Sequence, residues 1–234
     1  MTVFAKQYGR TGNQLFQKAA AIGYAMKHGI QYNTTNIRRQ GIMIKENGHQ
    51  YQDPPFYPNT NIILDGYWQS ARYFDHCREE VLKAFGYDWS LKEGWCSIHV
   101  RRADYLLYPD KHPVITEDYL DQAVWHIIKN TDIRRFLVFS DDIEYCRDFV
   151  SRRMYANCIV EFSEGRTPEE DLVLGSCCEH NIISNSTFSW WQAYLNQNPD
   201  KVVISPSKDN WFGPSNGHLD TSDLIPESWI QIKY

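Results

Sequence analysis

Arg101 and Arg102 stand side by side at the end of the apolar run "WCSIHV". Such a pair presents planar, multidentate donors suited to a phosphate or pyrophosphate. Arg38-Arg39, Arg134-Arg135 and Arg152-Arg153 are also basic pairs, and solvated surface is the usual state of such pairs. Arg101-Arg102 differs in having a strand-like run directly before it and an acid, Asp104, two residues after it. Asn185-Ser186-Thr187, between "NIIS" and an apolar run, offers hydroxyls, backbone N–H groups and the positive end of a helix dipole. The plain alternative for these three residues is a helix N-cap. Asp141-Asp142, after "RFLVFS", can accept hydrogen bonds from ribose hydroxyls or a guanine edge, or can cap the next helix. Gly12-Asn13, in "GRTGNQ", either approaches a phosphate or only turns tightly, since the full glycine pattern of a dinucleotide fold is missing. No Asp-x-Asp occurs, so a metal-bridged pyrophosphate has no obvious ligand set. The expectation is therefore no metal and no cofactor, with a leaving group's charge falling to arginine and helix termini.

The elements that must position these residues alternate. After Gly94, strand-like segments at 95–100, 135–140, 158–162, 181–184 and 201–205 are separated by helical patterns at 116–130, from about Ile143 to Met154, from Thr167, and from about Phe188 to Leu195. Thr167, Pro168 and Glu170 form a capping-box start. Five strands separated by helices predict an α/β fold with a mostly parallel, doubly wound sheet, whose ligands bind at the carboxyl ends of the strands. The first ninety residues repeat the alternation more weakly. A strand near Thr2 to Tyr8 leads into a helix with apolar positions at 15, 16, 19, 20, 22, 23 and 26, and "NIILDGYW" leads into "SARYFDHCREEVLKAF", with "NGHQYQDPPFYPNT" between them as a loop. The polar stretch 86–94 marks a boundary, giving a small domain at 1–90 and a larger one at 91–234.

A chain of 234 residues with 42% hydrophobic and 23% charged residues buries a substantial core. Its net charge of −5 argues against a nucleic-acid partner, which needs an excess of Lys and Arg. The start lacks a basic region followed by an apolar run, and no later segment reaches the roughly 18 apolar residues of a membrane span. The expected location is thus cytoplasmic and soluble, with no membrane span. The six cysteines show no CxxC spacing and two are adjacent, which predicts reduced, mostly buried thiols with Cys177 and Cys178 on a helix. Cys177, Cys178 and His180 lack a second cluster to complete a metal site. Asn33-Thr34-Thr35 and Asn185-Ser186-Thr187 match the glycosylation pattern by chance if the chain is not secreted.

Read in order, "GRTGNQLFQKAAAIGYA", "GYWQSARYFDHCREEVLKAF", "SIHVRRADYL", "FLVFSDDIEYCRDF", "HNIISNSTFSWWQAYLN" and "KVVISPSKDNWF" resemble the α-1,2-fucosyltransferase family that uses GDP-fucose. The HxRRxD motif, His99 to Asp104, is shared with other fucosyltransferases, whereas "GNQLFQ" and "NSTFSWW" point to the α-1,2 family more narrowly. The resemblance implies a GT-B-like architecture of two Rossmann-like domains, the donor in the second, an acceptor-side first domain, inversion at the anomeric carbon and no required metal. By the motif match, Arg101 and Arg102 would hold the pyrophosphate of GDP, His99 would support the nucleotide, and Asp141 would lie near the nucleoside with Asp142 beside it. Ser186, Thr187, Phe188 and Ser189 would close over the phosphates, and Trp190-Trp191 would pack their helix rather than stack on sugar. Asp104 is the first candidate for the base that deprotonates the acceptor and Asp110 the second; Asp104 could instead orient Arg102 through a salt bridge. Ala103 stands where the family usually has Gly, and the first half is short between Asn36 and Asn61, so acceptor preference need not follow the family.

The expected partners are GDP-fucose and a galactose-containing glycan, with transfer to the 2-hydroxyl of galactose. Transfer in another linkage, and a carbohydrate-binding protein without turnover, are the competing readings. The second draws on the 15% aromatic content and eight tryptophans.

Overall fold

The computed structural model describes residues 1–35, 40–47, 49–153 and 157–234. Arg38-Arg39 and the expected helix end at Met154 lie outside the described residues. The chain forms two compact units, one of 1–87 with 218–226, the other of 88–217 with 227–234. The segment 218–226, within the stretch expected to belong wholly to the second domain, thus packs with the first.

Unit 1 contains β1 (Thr2–Ala5), α1 (Thr11–His28), β2 (Gln31–Asn33), β3 (Ile42–Lys45), β4 (Ile62–Asp65) and α2 (Arg78–Phe85). Its sheet has the order β2-β1-β4-β3 with every pairing parallel. β2 and β3 were not expected: three or four residues of mixed polarity carry no periodic signal. The expected strands at 2–8 and 61–68 stop at Ala5 and Asp65. The run from Ser70 to Phe85 is divided into 3-10 turns at Ala71–Tyr73 and Asp75–Cys77 before α2 begins. Gly23 lets α1 lie on that first turn, since a Cβ there would sit 1.9 Å from the Tyr73 carbonyl oxygen.

Unit 2 contains β5 (Lys92–Val100), α3 (Ala103–Leu107), α4 (Glu117–Asn130), β6 (Arg135–Ser140), α5 (Ile143–Ser151), β7 (Ile159–Phe162), α6 (Pro168–Ser176), β8 (Cys178–Ile182), α7 (Thr187–Leu195), β9 (Val203–Pro206) and β10 (Ile230–Ile232). All strands are parallel, in the order β10-β9-β8-β5-β6-β7. The chain winds from β5 outward through β6 to β7, then returns to the other side of β5 with β8, so β5 and β8 flank the topological switch point. Both sheet faces are buried, and β6 shows why with its period of two. Phe136 and Val138 join a cluster with Tyr119, Val124 and Ile127 of α4, while Leu137 and Phe139 pack with Trp95 and Cys178 on the other face. Strands covered on both faces need near-continuous apolar runs, which is why these were the most visible ones in the sequence.

Cys178 opens β8 instead of continuing a helix, because α6 ends at Ser176 with Cys177 as its cap. All six thiols are free, and burial pushes Cys178 up to about 12, which leaves it a protonated core group. His180 Nδ1 accepts the Val202 N–H at 2.9 Å, a structural use of the side chain. Among the described residues no helix is long and apolar enough to cross a membrane.

The capping box at α6 forms as its residues predict, with Thr167 Oγ1 accepting from Glu170 N at 3.2 Å and Glu170 Oε2 accepting from Thr167 N at 2.7 Å. Thr167→Ala should lower the unfolding free energy by about 1 kcal/mol, read as a shift of the urea midpoint at constant slope. An unchanged midpoint would mean that the cap contributes nothing to this helix.

Candidate donor site at the strand ends of unit 2

Ligands of doubly wound sheets bind outside the carboxyl ends of the strands at the switch point. Here that place is bounded by the ends of β5, β8 and β6. His99, on the last turn of the pleat in β5, and Ser184, just past β8, meet across it with Nδ1 and Oγ 2.7 Å apart. His99 is 6% exposed and its ring lies 5.4 Å from that of Phe188. Burial lowers its pKa to about 4, with only Asp141 pulling the other way, so the imidazole is neutral at physiological pH. Ser189 Oγ lies 3.4 Å from Ser184 Oγ and bonds the Ser184 and Ser186 carbonyls, which fixes the loop leading into α7. Ser186 caps that helix, its Oγ accepting from Phe188 N at 3.3 Å, and Thr187 is the first helical residue. The cap reading of this stretch is thus realised, at the switch point of the sheet.

Asp141 organises the other side. Its Oδ1 accepts the backbone N–H groups of Arg102 and Ala103 at 2.8 and 3.3 Å, and its Oδ2 pairs with Arg101 Nη1 at 2.8 Å. Arg101 Nη2 also reaches Asp104 Oδ1 at 2.6 Å. Asp104 therefore orients Arg101, not Arg102 as the salt-bridge alternative supposed, because α3 turns its first residues back over Arg101. Arg102 instead donates from Nε to Asp142 Oδ2 at 3.1 Å and stacks 3.4 Å from the centre of the Tyr145 ring. Asp142 has a second role as N-cap of α5, accepting from Tyr145 N at 3.2 Å. The two arginines therefore splay apart. Both Nη groups of Arg101 hold carboxylates, while those of Arg102 make no hydrogen bond among the described residues and form the open donor fork of the site.

Asn185 joins the two sides. Its Nδ2 donates to the Pro113 and Trp211 carbonyls at 2.8 and 3.2 Å, and its backbone carbonyl accepts from Tyr105 OH at 3.0 Å. With the amide orientation set by those two carbonyls, Oδ1 is a buried acceptor without a partner. Burial pushes the Tyr105 phenol well up, so it stays a donor, and His112 stacks on its ring at 4.8 Å. Trp190 and Trp191 are fully buried, Trp190 stacking on Tyr194 with ring centres 4.9 Å apart, so the tryptophan pair packs its helix.

The structure thus brings His99, Arg101, Arg102, Asp104, Asp141, Asp142 and Asn185 through Ser189 to the strand ends of one unit. Gly12 and Asn13 belong to unit 1, where they open α1. Asn13 Oδ1 accepts from Gln69 Nε2 at 3.0 Å, and a Cβ on Gly9, whose φ is +79°, would come within 2.6 Å of Asn13 Nδ2. Asp110 lies in the loop after α3, where its carbonyl accepts from Ser215 N. Ser184, Tyr105 and Tyr145 escaped the sequence reading. Ser184 ended an expected strand and could have been found by asking what faces His99, whereas the two tyrosines look like ordinary amphipathic helix residues.

The residues 46–230 match the family model described as glycosyl transferase family 11. An α-1,2-colitosyltransferase of Escherichia coli is 32% identical over 72% of this chain and 61% of its own length. The O-antigen biosynthesis glycosyltransferase WbnK of Escherichia coli is 32% identical over 82% of this chain and 70% of its own. A human galactoside α-(1,2)-fucosyltransferase 1 is 27% identical over 56% of this chain and 42% of its length. The chain therefore spans less than two thirds of the length of the colitosyltransferase and of the human enzyme. A crystal structure of POFUT1 in complex with GDP-fucose aligns over 86% of this chain and 96% of its own with a TM-score of 0.43 and 10% identity.

His99 binds protons less readily folded than unfolded, so its contribution to stability is complete above its ordinary 6.5 and is lost as pH falls through about 4. Between those values the loss should be on the order of 3 kcal/mol, and His99→Gln should flatten the pH dependence of stability by that amount. Equal slopes in the two proteins between pH 6.5 and 4 would contradict the neutral, buried imidazole.

Proposed function

This chain belongs to glycosyl transferase family 11, and on that premise we propose that it transfers L-fucose from GDP-fucose to a sugar hydroxyl, the 2-hydroxyl of a galactose residue in a glycan, with inversion. The observation that carries the reading is the open fork of Arg102 beside the neutral His99–Ser184 pair at the switch point of unit 2. A guanidinium with unused Nη groups, flattened against Tyr145 and held at Nε, is pre-oriented for the diphosphate. The start of α7 adds backbone dipoles of the same sign.

In the proposed reaction the acceptor hydroxyl attacks the anomeric carbon as the bond to the β-phosphate oxygen breaks. The charge growing on that oxygen is met by Arg102, by the helix start, and by Arg101 once its carboxylate partners share it, without a divalent metal. Asp104 is the more open of the two carboxylates on Arg101, its side chain 37% exposed against 20% for Asp141, which supports assigning it the proton of the entering hydroxyl. Its pairing with Arg101 also makes it a positioning residue, so the two roles must be separated by experiment. Unit 1 is assigned the acceptor side, and Gly12 and Asn13 at the start of α1 are assigned to donor binding. Similarity to a protein named as a colitosyltransferase supports a second reading in which the transferred sugar is colitose.

The test is GDP release from GDP-fucose in EDTA, with and without galactose-terminated glycans, and in parallel with a colitose donor. Acceptor-dependent release should survive EDTA and fall at least about 100-fold in Arg102→Ala. Asp104→Asn should fall by about 100-fold or more if Asp104 is the base; near-normal turnover would remove it from that role and leave Asp110. Release with the colitose donor alone would replace fucose in the proposal, and sugar binding that ignores GDP would make the chain a lectin-like protein instead.

A further inference from the structure

β5 and β8 meet at the switch point through polar side chains. Ser97 and His99 stand in register with Leu137 and Phe139 of β6, so all four side chains share one buried face of the sheet. Ser97 Oγ accepts from Asn181 Nδ2 at 2.7 Å, and His99 Nδ1 meets Ser184 Oγ at the same distance. Ser184 and Ser189 are both fully buried. At that depth a hydroxyl hydrogen without an acceptor costs stability.

Ser184 has one such hydrogen and two oxygens or nitrogens to give it to. His99 Nδ1 lies at 2.7 Å, the usual length for a hydroxyl donor, whereas Ser189 Oγ lies at 3.4 Å, outside the ordinary range for a bond between two hydroxyls. Ser189 has nothing to offer in return, because its own hydrogen goes to the carbonyl of Ser186 at 3.1 Å or of Ser184 at 3.3 Å. A proton on Nδ1 would leave the Ser184 hydrogen facing only the distant Ser189 oxygen. Donation from Ser184 to Nδ1 satisfies every buried hydrogen of the group. The ring is neutral, since burial lowers its pKa to about 4, and a neutral imidazole carries one proton. That proton is then on Nε2, which makes no hydrogen bond among the described residues and keeps accessible surface.

We infer that Ser184 is a positioning residue whose hydroxyl holds His99 as the Nε2–H tautomer, so that the ring offers the strand-end space a neutral hydrogen-bond donor and cannot act there as a base. The ligand atom it takes is an acceptor without a proton: a phosphate oxygen, or the carbonyl oxygen or a ring nitrogen of a purine. The proton of an entering hydroxyl is thereby left to a carboxylate. Identifying the acceptor atom with one on GDP rests on the transferase reading above; the tautomer does not.

The full chain, isotopically labelled at the histidine ring nitrogens, is followed by long-range proton–nitrogen NMR at neutral pH, with the His99 signals identified by their absence in His99→Gln. The ring should show a protonated Nε2 and an unprotonated, hydrogen-bonded Nδ1. Ser184→Ala should move the Nδ1 signal to the position of an unbonded nitrogen and weaken GDP about fivefold by calorimetry, the scale of one neutral hydrogen bond. Ser189→Ala, equally buried in the same loop, should leave the Nδ1 signal in place. Inorganic pyrophosphate and guanosine are then added separately to the native chain. At least one should shift the Nε2–H signal saturably, the first assigning a phosphate oxygen as the acceptor and the second the purine. A proton on Nδ1, an Nδ1 signal unmoved in Ser184→Ala, or an Nε2–H signal that ignores both ligands would overturn the inference. The tautomer and the ligand shifts are read in the native chain, so they decide the matter even where Ser184→Ala does not fold. Turnover of GDP-fucose by a protein with the proton on Nδ1 would leave the transferase reading intact, and the expected tautomer in a protein that binds no GDP would sink that reading alone.

Discussion

One carboxylate holds the site together. Two arginines at the end of a strand repel each other and must shed part of their hydration, so the arrangement persists only where fixed carboxylates take up the charge. Asp141 does this while also accepting two backbone N–H groups from the turn that carries the arginines. It can reach that turn because β5 and β6 pair in parallel with Val100 opposite Ser140, which brings the residues after both strands side by side. A shift of that register would separate the carboxylate from the turn and reverse which face each strand buries. The packing of Phe136 and Val138 on one face and Leu137 and Phe139 on the other therefore sets the electrostatics of the site.

From Asp141 the rest follows by division of labour. Arg101 is saturated by Asp104 and Asp141, whereas Arg102 is held at Nε by Asp142 and against Tyr145, with its outer donors left open. The opposite wall is built from β8 and the start of α7, where Ser184 meets His99 and Asn185 is tied to Tyr105, Pro113 and Trp211. Tyr119 reinforces that wall from α4, its buried hydroxyl lying 2.5 Å from the Ile183 carbonyl and 3.2 Å from that of Ile204. Core packing thereby reaches the site through hydrogen bonds to the ends of β8 and β9.

The central strands β5 and β6 of unit 2 were legible because burial on both faces writes them as near-continuous apolar runs, and 135–140 was delimited without error. The capping box of α6 was legible because its chemistry is local. What escaped was set by distant partners. β2, β3 and β10 are short strands whose form is imposed by neighbours, and Cys178 joins a strand because α6 stops one residue before Cys177. The proximity of Arg101, Arg102, Asp141 and Asn185 to the strand ends could be argued from topology, but the partner of each arginine could not. Asp104 on Arg101 and Asp142 on Arg102 depend on how α3 and α5 turn.

The most direct measurement is a crystal structure of this chain grown with GDP. The account predicts the diphosphate at the switch point of unit 2, with the β-phosphate oxygens on the Nη groups of Arg102 and near the start of α7, and with His99 still paired to Ser184. GDP seated away from Arg102, or phosphate oxygens contacting neither arginine, would contradict it.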